Sequence, residues 1–213
     1  MLRMLLIKLI KYILNIYQTF PITLPFFTIF YGILSINYWL IAFSISAISS
    51  NLTNKLIKNI FEFIYKLLNK KYLPILGIGD RPPGAINCCA FIDWAKCNKL
   101  SDSFGMPSGH SQLAWFCFIY GTLYMATHIR KTNIDRYKGR IWFIVSSCIL
   151  LIMAITLSYS RVYLGCHTIQ QVILGALIGI GFGLLSFWIS SMIIDNDKNV
   201  DIFSSVKKVL HAS

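Results

Sequence analysis

Long uncharged apolar runs, rather than a two-residue alternation, organise this chain. Residues 12–54 carry no Asp, Glu, Lys or Arg, and neither do 111–129, 141–160 or 162–194. Runs of about 18 or more such residues read as membrane-spanning helices, because in lipid a helix satisfies its own backbone. As one helix the first run would reach about 65 Å, roughly twice the thickness of a hydrocarbon core, so it must fold back. Gly32, Ser35 and Asn37 mark the turn, which divides the run into spans at 12–33 and 38–54, with Pro21 and Pro25 kinking the first. Three further spans are expected at 108–128, 141–160 and 167–194.

The polar segments between these runs differ in kind. Lys55, Lys58, Glu62, Lys66 and Lys70 recur every three or four residues among Leu, Ile and Phe. That pattern predicts an amphipathic helix over 55–70 lying on the membrane surface. Residues 71–107 are rich in Gly, Pro, Asn and Asp and read as a structured loop with at most one short helix, near 90–96. A basic connection at 130–140, a tiny loop at 161–166 and a tail at 195–213 complete the chain. Residues 1–20 resemble a signal sequence but lack a small-residue cleavage site, and are read as a retained start of the first span. The expected fold is all-α: a single membrane domain over 1–213, a multi-pass helical bundle of about five spans plus one interfacial helix. Within it, 108–194 forms a three-span catalytic core and 71–107 a catalytic loop.

Composition sharpens this picture. The chain is 56% hydrophobic and 13% charged, which excludes intrinsic disorder, collagen and a disulfide-dense secreted scaffold. A net charge of +12 on such a chain points to anionic headgroups or a phosphate substrate, and nucleic acid is not expected as a partner. Of the six cysteines, Cys117 and Cys148 read as small buried hydrophobes. Cys97 is a candidate to pair with Cys88, Cys89 or Cys166 if the loop faces an oxidising compartment.

Three polar clusters stand at span boundaries: Asp80–Ala85, Gly105–Gln112, and Ser160-Arg161 with His167 and Gln171. Two spans separate the second from the third and none separates the first from the second, so Arg81, His110, Arg161 and His167 share one membrane face. Ser108 sits where an N-cap belongs, and the amides of Gly109, His110 and Ser111 make that helix end an anion site. Gly109 lets backbone approach a ligand closely. Two arginines add bidentate phosphate recognition and two histidines a nucleophile and an acid, which is the equipment of metal-free phosphoryl transfer. Asp80, Asp93 and Asp102 are too scattered for an acidic metal cage. His128 and His211 read as interfacial residues and Asp135 as solvated surface. His167, Gln171, Gly175, Gly179 and Gly183 recur every four residues, a stripe with a polar end in the site and glycines for close helix packing.

Arg81-Pro82, then Pro107-Ser108-Gly109-His110, then Ser160-Arg161 with His167 six residues on, resemble the type 2 phosphatidic acid phosphatase superfamily, whose pattern is KxxxxxxRP, PSGH and SRxxxxxHxxxD. Within it, GMPSGHSQ and SRVYLGCHTIQQV look most like the dolichyl diphosphatase branch. The resemblance spans roughly 55–185. It implies that His167 attacks phosphorus to form a phosphohistidine and His110 protonates the leaving oxygen. Arg81, Ser108, Gly109 and Arg161 would hold the phosphoryl oxygens, with no metal or other cofactor. Two positions depart from the pattern. Pro74 stands where the family has lysine, which leaves Lys55 or Lys58 to supply the cation, or Lys71 from the loop. Gln171 replaces the family's Asp, and would orient His167 without stabilising an imidazolium by charge.

The expected function is therefore hydrolysis of a polyprenyl diphosphate by a multi-pass membrane phosphatase. A phosphatidate-type lipid phosphatase and a non-catalytic lipid-binding member of the family are the rivals. The expected partners are a membrane lipid phosphate or diphosphate and the bilayer itself. The basic 130–140 connection, held in the cytoplasm by the positive-inside rule, puts the site on the opposite face, the endoplasmic reticulum lumen in a eukaryotic host.

Overall fold

The computed structural model describes residues 19, 23–85, 103–131 and 135–194. Expectations that fall on 1–18, on Pro21, Cys88, Cys89 and Cys97, on a helix at 90–96, on Asp93 and Asp102, and on the tail at 195–213 lie outside the described residues. The described helices are α1 (Thr23–Leu34), α2 (Tyr38–Leu67), α3 (Gly109–Lys131), α4 (Arg136–Tyr163) and α5 (Ile169–Ile194). Between α2 and α3 a small antiparallel hairpin pairs β1 (Tyr72–Leu73) with β2 (Gly77–Ile78), Tyr72 opposite Ile78 and Leu73 opposite Gly77. The sequence reading missed this hairpin, because strands of two residues carry no periodicity.

The first turn falls at 35–37 as expected. Asn37 caps α2, its side chain accepting from the amides of Trp39 and Leu40 at 3.1 and 3.2 Å. The division of 38–70 into a span and a separate surface helix is corrected: α2 runs unbroken for 30 residues, about 45 Å. Its sequence contains neither Gly nor Pro, so nothing interrupts the backbone hydrogen bonds where the charges begin. Asp135 is exposed, as expected, and also caps α4 by accepting from the Tyr137 and Lys138 amides. Arg161, expected in a loop, lies in the last turn of α4.

Two of the described helices, Tyr137–Tyr163 and Ile169–Ile194, are long and apolar enough to cross a membrane. Their outer faces expose Ile144, Ile149, Ile152, Ile173, Leu177 and Ile189, while Ser50, Ser111, Gln112, Ser158 and Ser190 are buried between helices. Apolar outside and small polar residues inside is the arrangement of a helix bundle in lipid. Cys148 follows the same logic: it is exposed on the outer face of α4 rather than buried, whereas Cys117 is buried.

The glycine stripe sets the packing that positions the site. α3 and α5 run in the same direction, and Gly175, Gly179 and Gly183 of α5 lie against Ser108, just before α3, and Gln112 and Phe116 of α3, both chains advancing four residues per contact. A Cβ on Gly175 would stand 2.5 Å from the Ser108 carbonyl oxygen, and one on Gly179 would collide with that of Gln112. Ser111 Oγ, donating to Val172 O at 2.8 Å, adds a hydrogen bond between the same helices. Gly179→Leu is therefore expected to destabilise the fold by about 1–3 kcal/mol and to cut the folded yield. Gly181→Leu, where a side chain meets nothing within 4 Å, should behave like wild type. Thermal unfolding of both variants in detergent checks this, and equal behaviour would mean that the helices do not approach so closely.

Candidate active site

The ends of α3, α4 and α5 meet at one level. The last turn of α4 holds Arg161, whose carbonyl accepts from the amides of Cys166 and His167 at 2.9 and 3.2 Å. Gly165, at φ +67°, makes the reversal that returns the chain over the arginine. Arg161 is fully buried, with Nε and Nη2 both donating to Ser160 Oγ at 3.1 Å. Among the described residues its Nη1 has no partner, and neither has the buried Ser108 Oγ at the start of α3. Unpaired buried donors are costly unless a ligand completes them, and two such groups beside a helix N-terminus describe an anion site.

His167 stands two residues ahead of α5 and is 5% exposed. Thr168 and Gln171 form a reciprocal cap: the Gln171 amide nitrogen donates to Thr168 Oγ1 at 3.4 Å, and the Thr168 amide donates to Gln171 Oε1 at 3.2 Å. Gln171 Nε2 donates in turn to the carbonyl oxygens of Ile78 at 2.9 Å and Asp80 at 2.7 Å. Backbone amides only donate and carbonyls only accept, so the side-chain amide can point just one way. Its Oε1, 3.0 Å from His167 Nδ1, must then accept from an Nδ1–H. The proton is held on Nδ1 and the lone pair is left on Nε2, the tautomer of a nucleophile. Burial first, then the charges of Arg81 and Lys58, hold the His167 pKa well below 6.5, which keeps the ring neutral at physiological pH.

The cations converge on this ring from separate elements. Arg81, which follows β2, donates Nε to Ser103 Oγ at 3.0 Å and Nη1 to Cys166 O at 3.5 Å. Lys58 of α2 is turned inward, Nζ donating to Phe104 O at 3.4 Å. Lys55 and Lys71 are exposed. His110 is half-buried in the first turn of α3, close enough for its charge to act on His167. Gly109 faces α2, where a Cβ would come 3.0 Å from Asn54 Oδ1. Arg81, Ser108, Gly109, His110, Arg161, His167, Gln171 and Lys58 are thus brought together, and Lys55 is not.

Sequence reasoning missed the supports. Asn54 Nδ2 donates to Gln112 Oε1 at 2.8 Å, and Gln112 Nε2 donates to Ser50 O at 2.8 Å, locking α2 to α3 one turn from Lys58. Two buried amides at the span ends were the available signal. Tyr65, whose hydroxyl donates to Gly77 O at 2.9 Å and whose ring meets Phe104 edge-on, clamps the hairpin that leads to Arg81. Cys166, next to His167, is disulfide-bonded, and its partner lies outside the described residues.

Residues 37–195 match the family described as PAP2 superfamily. Human dolichyldiphosphatase 1 is 43% identical over 80 residues, 38% of this chain and 34% of that protein. Dolichyldiphosphatase of Saccharomyces cerevisiae is 34% identical over 100 residues, 45% of this chain and 38% of that protein. Lipid phosphate phosphatase gamma of Arabidopsis thaliana is 34% identical over 96 residues, 45% of this chain and 40% of that protein. The chain thus matches between 34% and 40% of the length of these curated relatives. No solved structure matches it.

Two expectations follow from the geometry. Lys58→Ala should lower turnover of a lipid phosphate by roughly 10²–10³-fold, the cost of removing one preorganised donor, while Lys55→Ala stays near wild type. Equal sensitivity of the two in a phosphate-release assay would disprove the assignment. Gln171→Glu, which brings back a carboxylate, should damage rather than improve the site. It removes the donor to the backbone carbonyls of Ile78, Gly79 and Asp80 and sets negative charge against them, at about 1–3 kcal/mol per unsatisfied group. Lower thermal stability together with lower turnover is expected, and a more active, equally stable variant would show that the amide is not needed as a donor.

Proposed function

The chain belongs to the PAP2 superfamily, and from that membership we propose that it is a membrane lipid phosphatase acting on a polyprenyl diphosphate through a phosphohistidine. The observation that carries the reading is the His167–Gln171 pair, a neutral buried imidazole with its proton fixed on Nδ1. In the proposed reaction His167 Nε2 attacks the terminal phosphorus, the P–N bond forms and the P–O bond to the leaving group breaks. His110 gives its proton to the departing oxygen. Water then attacks the phosphorus, giving a proton to His110, the P–N bond breaks with its electron pair returning to His167 Nε2, and inorganic phosphate leaves. Arg81, Arg161, Lys58, Ser108 Oγ and the Gly109 amide hold the phosphoryl oxygens and offset the charge that builds on them, which is the work a metal ion does in other phosphatases.

The diphosphate assignment is supported by the dolichyldiphosphatases among the similar proteins. A phosphatidate-type substrate is the second reading, favoured by the similarity to a lipid phosphate phosphatase. We place the site on the extracytoplasmic face, lumenal if the membrane is that of the endoplasmic reticulum. The basic 130–140 connection supports this, as does the disulfide at Cys166, a bond that persists in oxidising compartments.

The test is phosphate release in the presence of chelator from polyprenyl diphosphate and from phosphatidate, by wild type, His167→Ala and His110→Ala. Wild type should prefer the diphosphate and His167→Ala should be inactive on both. A leaving phosphate needs less protonation than an alkoxide. His110→Ala should therefore cost roughly 10²–10⁴-fold on phosphatidate and less on the diphosphate. Preference for phosphatidate would sink the substrate assignment, and activity in His167→Ala would sink the mechanism.

A further inference from the structure

The hairpin between α2 and α3 carries features that phosphate chemistry leaves unused. At its turn Ile75 is 95% exposed and holds φ +72°, a left-handed conformation that β-branched residues avoid. A turn made for water would carry Gly, Asn or Asp at such a position. Tyr72 and Ile78, the pair that begins and ends the strands, are also exposed, and Lys70 and Lys71 lie bare just before them. An apolar tip with an aromatic shoulder and adjacent lysines has the composition of a membrane-interface segment.

The position of the hairpin agrees with its composition. β2 lies against the first turn of α5, where a Cβ on Gly77 would come 3.2 Å from the Gln170 side chain. α5 is long and apolar enough to cross a membrane, and its outer face begins with Ile169 and continues through Ile173 and Leu177, all exposed. The hairpin thus stands level with the end of a span, at headgroup height. Its base is held by Tyr65 on Gly77 O and by Gln171 on Ile78 O, so the tip is presented rigidly.

We propose that residues 70–78 form an interfacial anchor. In this arrangement Ile75 and Tyr72 seat at the boundary between acyl chains and headgroups, beside the site, and Lys70 and Lys71 take the phosphates of anionic lipids. The occupant is the bilayer surface rather than a protein. The proposal does not depend on catalysis, yet it has a consequence for it. Gln171 grips the hairpin with its amide nitrogen and the His167 ring with its amide oxygen, so the anchor sets the depth at which the nucleophile meets a lipid headgroup.

The experiment uses the full chain in vesicles of phosphatidylcholine with or without phosphatidylserine. Ile75→Cys carries an environment-sensitive fluorophore, and the parent chain labelled in parallel subtracts other thiols. Expected are blue-shifted emission, loss of more than half of it to lipids bearing a shallow nitroxide, and little quenching by aqueous iodide. Lys70→Glu with Lys71→Glu in the labelled chain should weaken nitroxide quenching where phosphatidylserine is present and not in phosphatidylcholine alone. If Ile75→Cys fails to fold, Tyr72→Cys reports the same quenching pattern. Quenching by iodide and not by nitroxide lipid would place the tip in water, and protection from both would mean a protein covers it. Either result overturns the proposal.

Discussion

The side-chain amide of Gln171 is the joint on which the site depends. One end fixes the tautomer of His167 and caps α5, and the other holds the carbonyls of Ile78 and Asp80. A carboxylate at this position would serve the ring and fail the hairpin. The exchange of the family's Asp for Gln is thus more than the loss of a charge. The same side chain that orients the His167 ring also holds the segment that carries Arg81, so ring and guanidinium are set by one residue. Gly105 shows how tightly the amide is enclosed, since a Cβ there would come 2.6 Å from it.

Around this joint the protein accepts an electrostatic cost. Among the described residues the fully buried Arg161 has an unpartnered Nη1 and Ser108 an unpartnered Oγ, and Arg81 and Lys58 bear on the same neutral imidazole. Like charges gathered this closely oppose one another, and each is more costly away from water. In the proposed reaction a phosphoryl group arriving among them would remove that repulsion and complete the orphan donors. The donors stand in place before the anion arrives, so little reorganisation remains for the reaction itself.

Much of this was legible in the chain. Uncharged runs marked the apolar helices, parity put Arg81, His110, Arg161 and His167 on one face, and a four-residue stripe foretold close helix packing at the glycines of α5, though not that α3 would be the partner. What escaped were features without a periodic or charge signature. The hairpin is too short to alternate. The unbroken course of α2 was hidden because charge placement changes at Lys55 although nothing in the backbone chemistry does. The choice between Lys55 and Lys58 turned on a rotation about the helix that only packing decides: Asn54, bonded to Gln112, sets which face of α2 looks inward, and Lys58, one turn on, shares that face. The second task of Gln171 depends on the carbonyls of a distant segment, which no local reading of His167–Gln171 contains.

The direction of the two central helices explains why the glycines belong to the chemistry as well as to the fold. α3 and α5 point the same way, so the partial positive charge of both N-termini gathers at the site, one beneath Ser108 and Gly109 and the other beside His167. Parallel dipoles repel, and helices with larger residues at the seam would stand further apart. Gly175 lets the carbonyl of Ser108 approach the α5 backbone, and the Ser108 amide donates to Gln171 O at 3.0 Å, a backbone bond across the seam that compensates the repulsion. That bond joins the residue before His110 and Gly109 to the residue that orients His167. The relative height of the α3 N-terminus and the His167 ring is therefore fixed by main chain on both sides, and side-chain rotamers have only to finish the alignment.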